Sequence, residues 1–239
     1  MPWIDVVDDR VAKPPRIPAV ASASASESGP RPPRARADEI EIIDGWAELT
    51  AVRLEGEIID LRAALAVELN EVMIYGCQLV VRPDAELRVR GSRFERCDLS
   101  QLRVDALRAS ALSDCKLMGA ELTGVVADVE MVNSQLTLTR FPEAKLKRVA
   151  FAGCTMRQVD FFDASLTDVS FDGCDLDEVN LDRARFEAVD LRYASTVDVR
   201  NTRDYRGCVI TAVQAQAMAI QLADILGLGI ESDATVETQ

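Results

Sequence analysis

Two groups of side chains in this 239-residue sequence have the types and spacing to do chemistry. Cys77 and Cys97 lie 20 residues apart, as do Cys154 and Cys174, with Cys115 between the pairs. Thiols brought together at such intervals would offer a disulfide or a soft-metal site. Residues 160–182 carry Asp160, Asp163, Asp168, Asp172, Asp175, Asp177, Glu178 and Asp182 with no Lys or Arg among them. Paired carboxylates suit general acid–base work when a pocket desolvates one of them, and otherwise suit a basic partner. The chain contains no His, which removes the Ser-His-Asp and Cys-His nucleophile arrangements, every His-containing zinc site and the usual general base.

Composition narrows the field further. The net charge is −13, from 27 Lys+Arg against 40 Asp+Glu, so direct contact with nucleic acid is not expected. No run approaches the roughly 18 apolar residues of a membrane helix. Met1-Pro2-Trp3-Ile4-Asp5 has no apolar core of a secretory signal. A cytoplasmic protein is expected.

The pattern that must position these side chains has neither a helix period nor a strand period. Apolar residues recur every five positions at 49, 54, 59, 64, 69, 74 and 79, then at 89, 94 and 99 after a lapse at Asp84. They return at 107, 112, 117 and 122, and from 126 run on to 191. Two positions before each stands a second, usually smaller residue, such as Cys97 before Leu99 or Ala120 before Leu122. Two of every five residues therefore point inward and three outward, which marks a solenoid whose units need stacked neighbours to complete a core.

A longer period lies over the short one. The column Cys77, Cys97, Cys115, Ser134, Cys154, Cys174, Ala194 slips by the same amounts, at the same places, as Ile74, Phe94, Leu112, Met131, Phe151, Phe171, Leu191. One coil is therefore four five-residue sides, shortened by two residues between Leu99 and Leu102 and by one between Leu122 and Val126. The cysteines fall at the small inward position, where packing accounts for them as buried hydrophobes; Cys208 lies outside the column.

This pattern, from Ala47 to Thr196, resembles the pentapeptide-repeat family, whose units read as a small residue, any residue, Leu or Phe, then two polar residues. The resemblance implies an all-β fold, a right-handed quadrilateral β-helix. Glu57, Arg62, Arg82, Asp84 and Asp105 depart from the pattern by placing charge at nominally inward positions, and the Arg82-Pro83-Asp84 lapse is expected to bulge one corner.

Three regions follow. Residues 1–38 hold seven of the nine prolines and an Ala/Ser run, and read as a disordered arm. Residues 39–198 are the β-helix with an N-terminal cap. Residues 199–239 are a capping helix and tail: Thr211-Ala212-Val213-Gln214 is a capping box, and Gly227 is the helix stop. Met218, Leu222, Ile225 and Leu226 share an apolar face. The resemblance implies dimers joined through such a helix; a helix that only caps its own coil is the alternative.

The expected function is a non-enzymatic interaction rod or scaffold with no catalytic residues, metal or cofactor, its contact surface being the eight carboxylates between Asp160 and Asp182. Residues 160–198 carry 11 acidic against 3 basic side chains, a local charge of −8. The family resemblance adds a second reading: a DNA mimic that occupies DNA gyrase and protects it from quinolones.

Overall fold

The computed structural model describes residues 31–195 and 205–229. The expected arm lies outside the described residues as far as position 30, as do residues 196–204 and 230–239. Residues 33–39, which composition divides between arm and cap, belong to the first coil. The Ala35 N–H donates to the Arg53 carbonyl and the Arg53 N–H to the Pro33 carbonyl, both at 2.9 Å, and Ala37–Glu39 forms a 3-10 turn. These bonds satisfy backbone groups that the first coil would otherwise leave open.

The strands are β1 (Trp46–Thr50), β2 (Arg53–Glu55), β3 (Ile58–Asp60), β4 (Ala66–Asn70), β5 (Met73–Tyr75), β6 (Gln78–Val80), β7 (Glu86–Arg90), β8 (Arg93–Glu95), β9 (Arg103–Arg108), β10 (Ala111–Ser113), β11 (Glu121–Val132), β12 (Lys145–Ala152), β13 (Ser165–Asp172), β14 (Arg185–Asp190) and β15 (Cys208–Val209). One helix, α1, spans Ala212–Ile225. Strands of successive coils pair in parallel, giving a β-solenoid of about eight turns.

Register turns the five-residue period into four flat faces. On the first face Leu49, Leu69, Val89, Leu107, Val126, Leu146, Leu166 and Phe186 stack as one column. The second face stacks Leu54, Ile74, Phe94, Leu112, Met131, Phe151 and Phe171. The third face opens with the β3–β6 pair and continues by single bridges, Gln78–Asp98–Lys116–Gln135–Thr155–Asp175, and single bridges Glu121–Arg140–Asp160–Asn180 run along the fourth. These columns bury their apolar members, except Phe186 at the C-terminal end of the first, which is half-buried. In the later coils aromatic rings take over: Phe141 stacks on Phe161 at 4.7 Å and Phe151 on Phe171 at 5.1 Å, and the two stacks meet edge to face.

The departures from the repeat are each resolved locally. Arg62 pairs with Asp60 and Arg82 with Asp84 on the surface, while Ala64 and Ala85 fill the inward places. Glu57 accepts the Ala37 N–H at 2.6 Å. The two-residue shortening lies between Asp98, paired 20 residues from Gln78, and Ala106, paired 18 from Arg88. At that tightened corner the Asp105 carboxylate accepts the Leu87 N–H at 2.9 Å. The one-residue shortening is a bulge between Leu122 and Val125.

Candidate functional site: an acidic girdle and the C-terminal helix

None of the eight carboxylates is buried, so all of them point outward. They do not share a face. Asp160 and Asp182 lie on the fourth face, Asp163 at the corner that follows it, and Asp168 at the corner between the first and second faces. Asp172 is on the second face, Asp175 and Asp177 on the third, and Glu178 at the corner beyond. The expected patch is therefore a girdle. One coil takes 20 residues, so a run from 160 to 182 must travel round the whole rod; a patch on one face would be built from residues about 20 apart.

Basic side chains of neighbouring coils compensate part of this charge. Arg157 approaches Asp177 at 3.1 Å and Asp175 at 4.0 Å, and Asp163 pairs with Arg183 at 3.1 Å and Arg185 at 3.9 Å. Asp160 accepts from the Phe162 N–H and the Asn180 amide, and Glu178 accepts from Gln158 at 2.7 Å. Asp172 and Asp182 are exposed and have no ion pair among the described residues. Phe162 is half-buried, with the Arg183 guanidinium 5.2 Å from its ring centre. The residues that trim the girdle come from the coils on either side, a signal carried by the 20-residue spacing of Asp163 and Arg183 and of Arg157 and Asp177.

The family model for a pentapeptide repeat region matches residues 107–181, the stretch in which the columns run through the one-residue slip and into the girdle. The chain contains a pentapeptide repeat region. No curated protein matches it. Among solved structures it is similar to full-length QnrB1, a plasmid-mediated fluoroquinolone resistance protein, with 18% identity over 73% of this chain and 99% of that chain and a TM-score of 0.35. It is similar to HetL, a pentapeptide repeat protein involved in heterocyst differentiation regulation in the cyanobacterium Nostoc sp. strain PCC 7120, with 15% identity, 59% and 88% coverage and a TM-score of 0.28. Rfr23 from the cyanobacterium Cyanothece 51142 matches at 12% identity, with 67% and 91% coverage and a TM-score of 0.18.

Beyond the repeat region α1 opens with the capping box: Thr211 N–H donates to the Gln214 side chain at 2.8 Å, and Gln214 N–H to the Thr211 hydroxyl at 3.2 Å. Gly227, at φ +70°, ends it. Side chains that meet the last coil include Gln214, whose amide donates to the Leu191 carbonyl at 2.7 Å and the Ala194 carbonyl at 3.1 Å, and Met218, half-buried against the core. Leu222, Ile225 and Leu226 are exposed by 46%, 53% and 70%. Only Met218 of the four named apolar residues faces the coil. Gln214 supplies two donors to the last turn, to the Ala194 carbonyl and to the Leu191 carbonyl that also accepts the Ala194 N–H.

The cysteine column is interior. Cys77, Cys97, Cys115, Cys154 and Cys174 are buried and reduced. Cys97 donates to the Ile74 carbonyl at 3.2 Å and Cys154 to the Met131 carbonyl at 3.3 Å. A hydrogen bond shared with Cys97, together with burial, pushes the Cys115 thiol far above the ordinary range, and Cys154 does the same to Cys174. Cys208 is half-buried beside the last coil. Among the described residues no cluster of three or more His, Cys, Asp or Glu could hold a metal ion, and no helix is long and apolar enough to cross a membrane.

Proposed function

We propose that this protein is a non-enzymatic interaction rod whose acidic girdle engages a basic surface of another protein. The observation that carries this reading is the girdle itself: eight outward carboxylates encircle the C-terminal coils, and neighbouring arginines offset only some of them. Folding does not need these charges at outward positions, since the inward columns alone build the core. The exposed Leu222, Ile225 and Leu226 of α1 support a homodimer formed beside the girdle, which would bring two rings of negative charge together. The replacements Asp168→Asn, Asp172→Asn, Asp175→Asn and Asp177→Asn, made together, test it. The parent is expected to bind a polylysine probe in a salt-dependent manner, and the variant to bind at least about tenfold more weakly. Equal binding by folded parent and variant overturns the assignment.

A second reading is favoured by one feature, that the girdle surrounds the rod as phosphates surround a duplex: a DNA mimic acting on DNA gyrase or a related topoisomerase. Its weight is limited to the C-terminal coils, because residues 50–159 carry 15 acidic and 15 basic side chains, whereas duplex DNA is charged along its whole length. Inhibition of gyrase supercoiling by the parent and its loss in the four-Asn variant is the expected result for mimicry. No inhibition at a large molar excess removes that reading for the enzyme tested.

A further inference from the structure

The first face carries a feature of opposite sign, bordered by Asp168 of the girdle. Strands β7, β9, β11 and β12 stack Arg90, Arg108, Ala127 and Lys147 in one outward column. Neighbouring strands are about 4.8 Å apart, so Arg108 and Lys147 stand one step to either side of Ala127. Ala127 points outward yet is only 6% exposed, so its long neighbours close over it. Both cations also act on the same carboxylate, Asp128, and help hold it below its usual range after the dominant effect of Arg148. Asp128 is itself taken by Arg148, with Oδ1–Nε at 2.5 Å and Oδ2–Nη2 at 2.7 Å. Arg90, Arg108, Lys145 and Lys147 have no ion pair among the described residues, although the chain as a whole is strongly acidic.

We propose that this strip, centred on Arg108, Ala127 and Lys147, binds an extended acidic polypeptide laid along β11. A carboxylate above Ala127 is reached from one side by Arg108 and from the other by Lys147, and the Arg fork suits a planar carboxylate. Two residues back along β11, Val125 has Lys145 beside it on the next strand. Outward positions on a strand repeat about every 6.6 Å, which is also the repeat of alternate side chains on an extended ligand. The ligand therefore carries acidic residues at alternate positions. Nucleic acid fits less well: the strip ends at Asp168 on one side and at Glu68 and Glu86, both paired with Arg88, on the other, so among the described residues no unpaired positive charge continues beyond it for a phosphate backbone to follow. The site borders the girdle at Asp168 but does not rest on the function proposed for the girdle.

The test is fluorescence anisotropy with a labelled ten-residue peptide of alternating Glu and Ala, using the full chain at low and physiological salt. Binding is expected to weaken with salt and to fall at least about tenfold in the Arg108→Ala/Lys147→Ala double variant. Ala127→Glu places a tethered carboxylate between the two cations and is expected to block the peptide by a similar factor while leaving the circular dichroism spectrum unchanged. The four-Asn girdle variant is expected to bind this peptide at least as well as the parent. Absence of binding at millimolar peptide, or binding unchanged in both strip variants, overturns the proposal. Tighter binding of an equally charged oligothymidylate overturns the choice of a polypeptide.

Discussion

Gly124 lies against the backbone of Asp105 so closely that a Cβ added to it would stand 1.9 Å from the Asp105 carbonyl oxygen. The contact occurs at the bulge where β11 absorbs the one-residue shortening against β9. Gly124→Ala must move backbone and not merely a flexible side chain, and is expected to cost about 3 kcal/mol or more. Gly56→Ala is the comparison: it has open space around its Cβ and only its φ of +69° to oppose it, a cost of about 1 kcal/mol. Urea denaturation of both variants measures the difference, and equal losses would show that the close approach is relieved elsewhere.

Phe161 is fully buried, stacked on Phe141 and edge-on to Phe171. Phe161→Ala opens a cavity between coils that cannot collapse without disturbing the strand register above and below. It is expected to destabilise by about 3–5 kcal/mol, read from the shift in denaturation midpoint. Phe161→Leu, which most other columns already carry, is expected to cost less than half as much.

The fold was legible because its repeat is short and its inward positions are intolerant. Cys77 and Cys97, or Phe151 and Phe171, occupy equivalent places in neighbouring coils, and no other arrangement keeps so many 20-residue intervals. The corner slips were legible as well, because two columns shift together. The site was less so. Asp168 and Asp177 are nine residues apart yet lie on different faces, whereas Asp163 and Arg183 are twenty apart and touch. Adjacency on a solenoid is measured in coils, so a run of like charge says which coil is charged and nothing about which side. The contact face of α1 is set by a polar residue that an apolar stripe does not reveal: Gln214 donates to the Leu191 and Ala194 carbonyls, while Leu222 and Ile225 stay exposed.

Asp190 is nearly buried and bonded to Arg192, with Oδ1–Nε at 3.0 Å and Oδ2–Nη2 at 2.7 Å. These bonds outweigh its desolvation and hold its carboxyl below the usual range. Because the folded value is depressed, the pair's contribution is fully present above the unfolded value of about 3.9 and is lost as pH falls through the folded one. Asp190→Asn is expected to cost about 1 kcal/mol at pH 7. Parent and variant are expected to converge toward pH 2. A gap that persists at pH 2 would assign the loss to packing.

The five column thiols should resist alkylation. Cys77, Cys97, Cys115, Cys154 and Cys174 are each no more than 2% exposed; Cys77, Cys115 and Cys174 are also held protonated, whereas Cys97 and Cys154, lowered by the hydrogen bonds from Cys115 and Cys174, are protected by burial alone. Mass spectrometry after iodoacetamide treatment of native protein is expected to leave all five unmodified, with labelling appearing only at denaturant concentrations that unfold the coils. Early labelling of Cys174 alone would show that the C-terminal coils open independently.

The four-Asn girdle variant is expected to keep its thermal midpoint within about 2 °C of the parent, since the replaced carboxylates are outward and their pairs are solvent-exposed. A larger drop would mean that the girdle's charge is structural.

The order of charge along the rod has a consequence for how it meets other molecules. Positive side chains gather on one side of the middle coils and negative ones encircle the C-terminal coils, so the protein carries an axial dipole in addition to its net charge. A body of this kind is turned by the field of a charged partner before the two touch. Toward a basic surface it arrives with its C-terminal end leading. Salt shortens the distance over which this alignment acts, so ionic strength would govern the orientation of the encounter as well as its frequency.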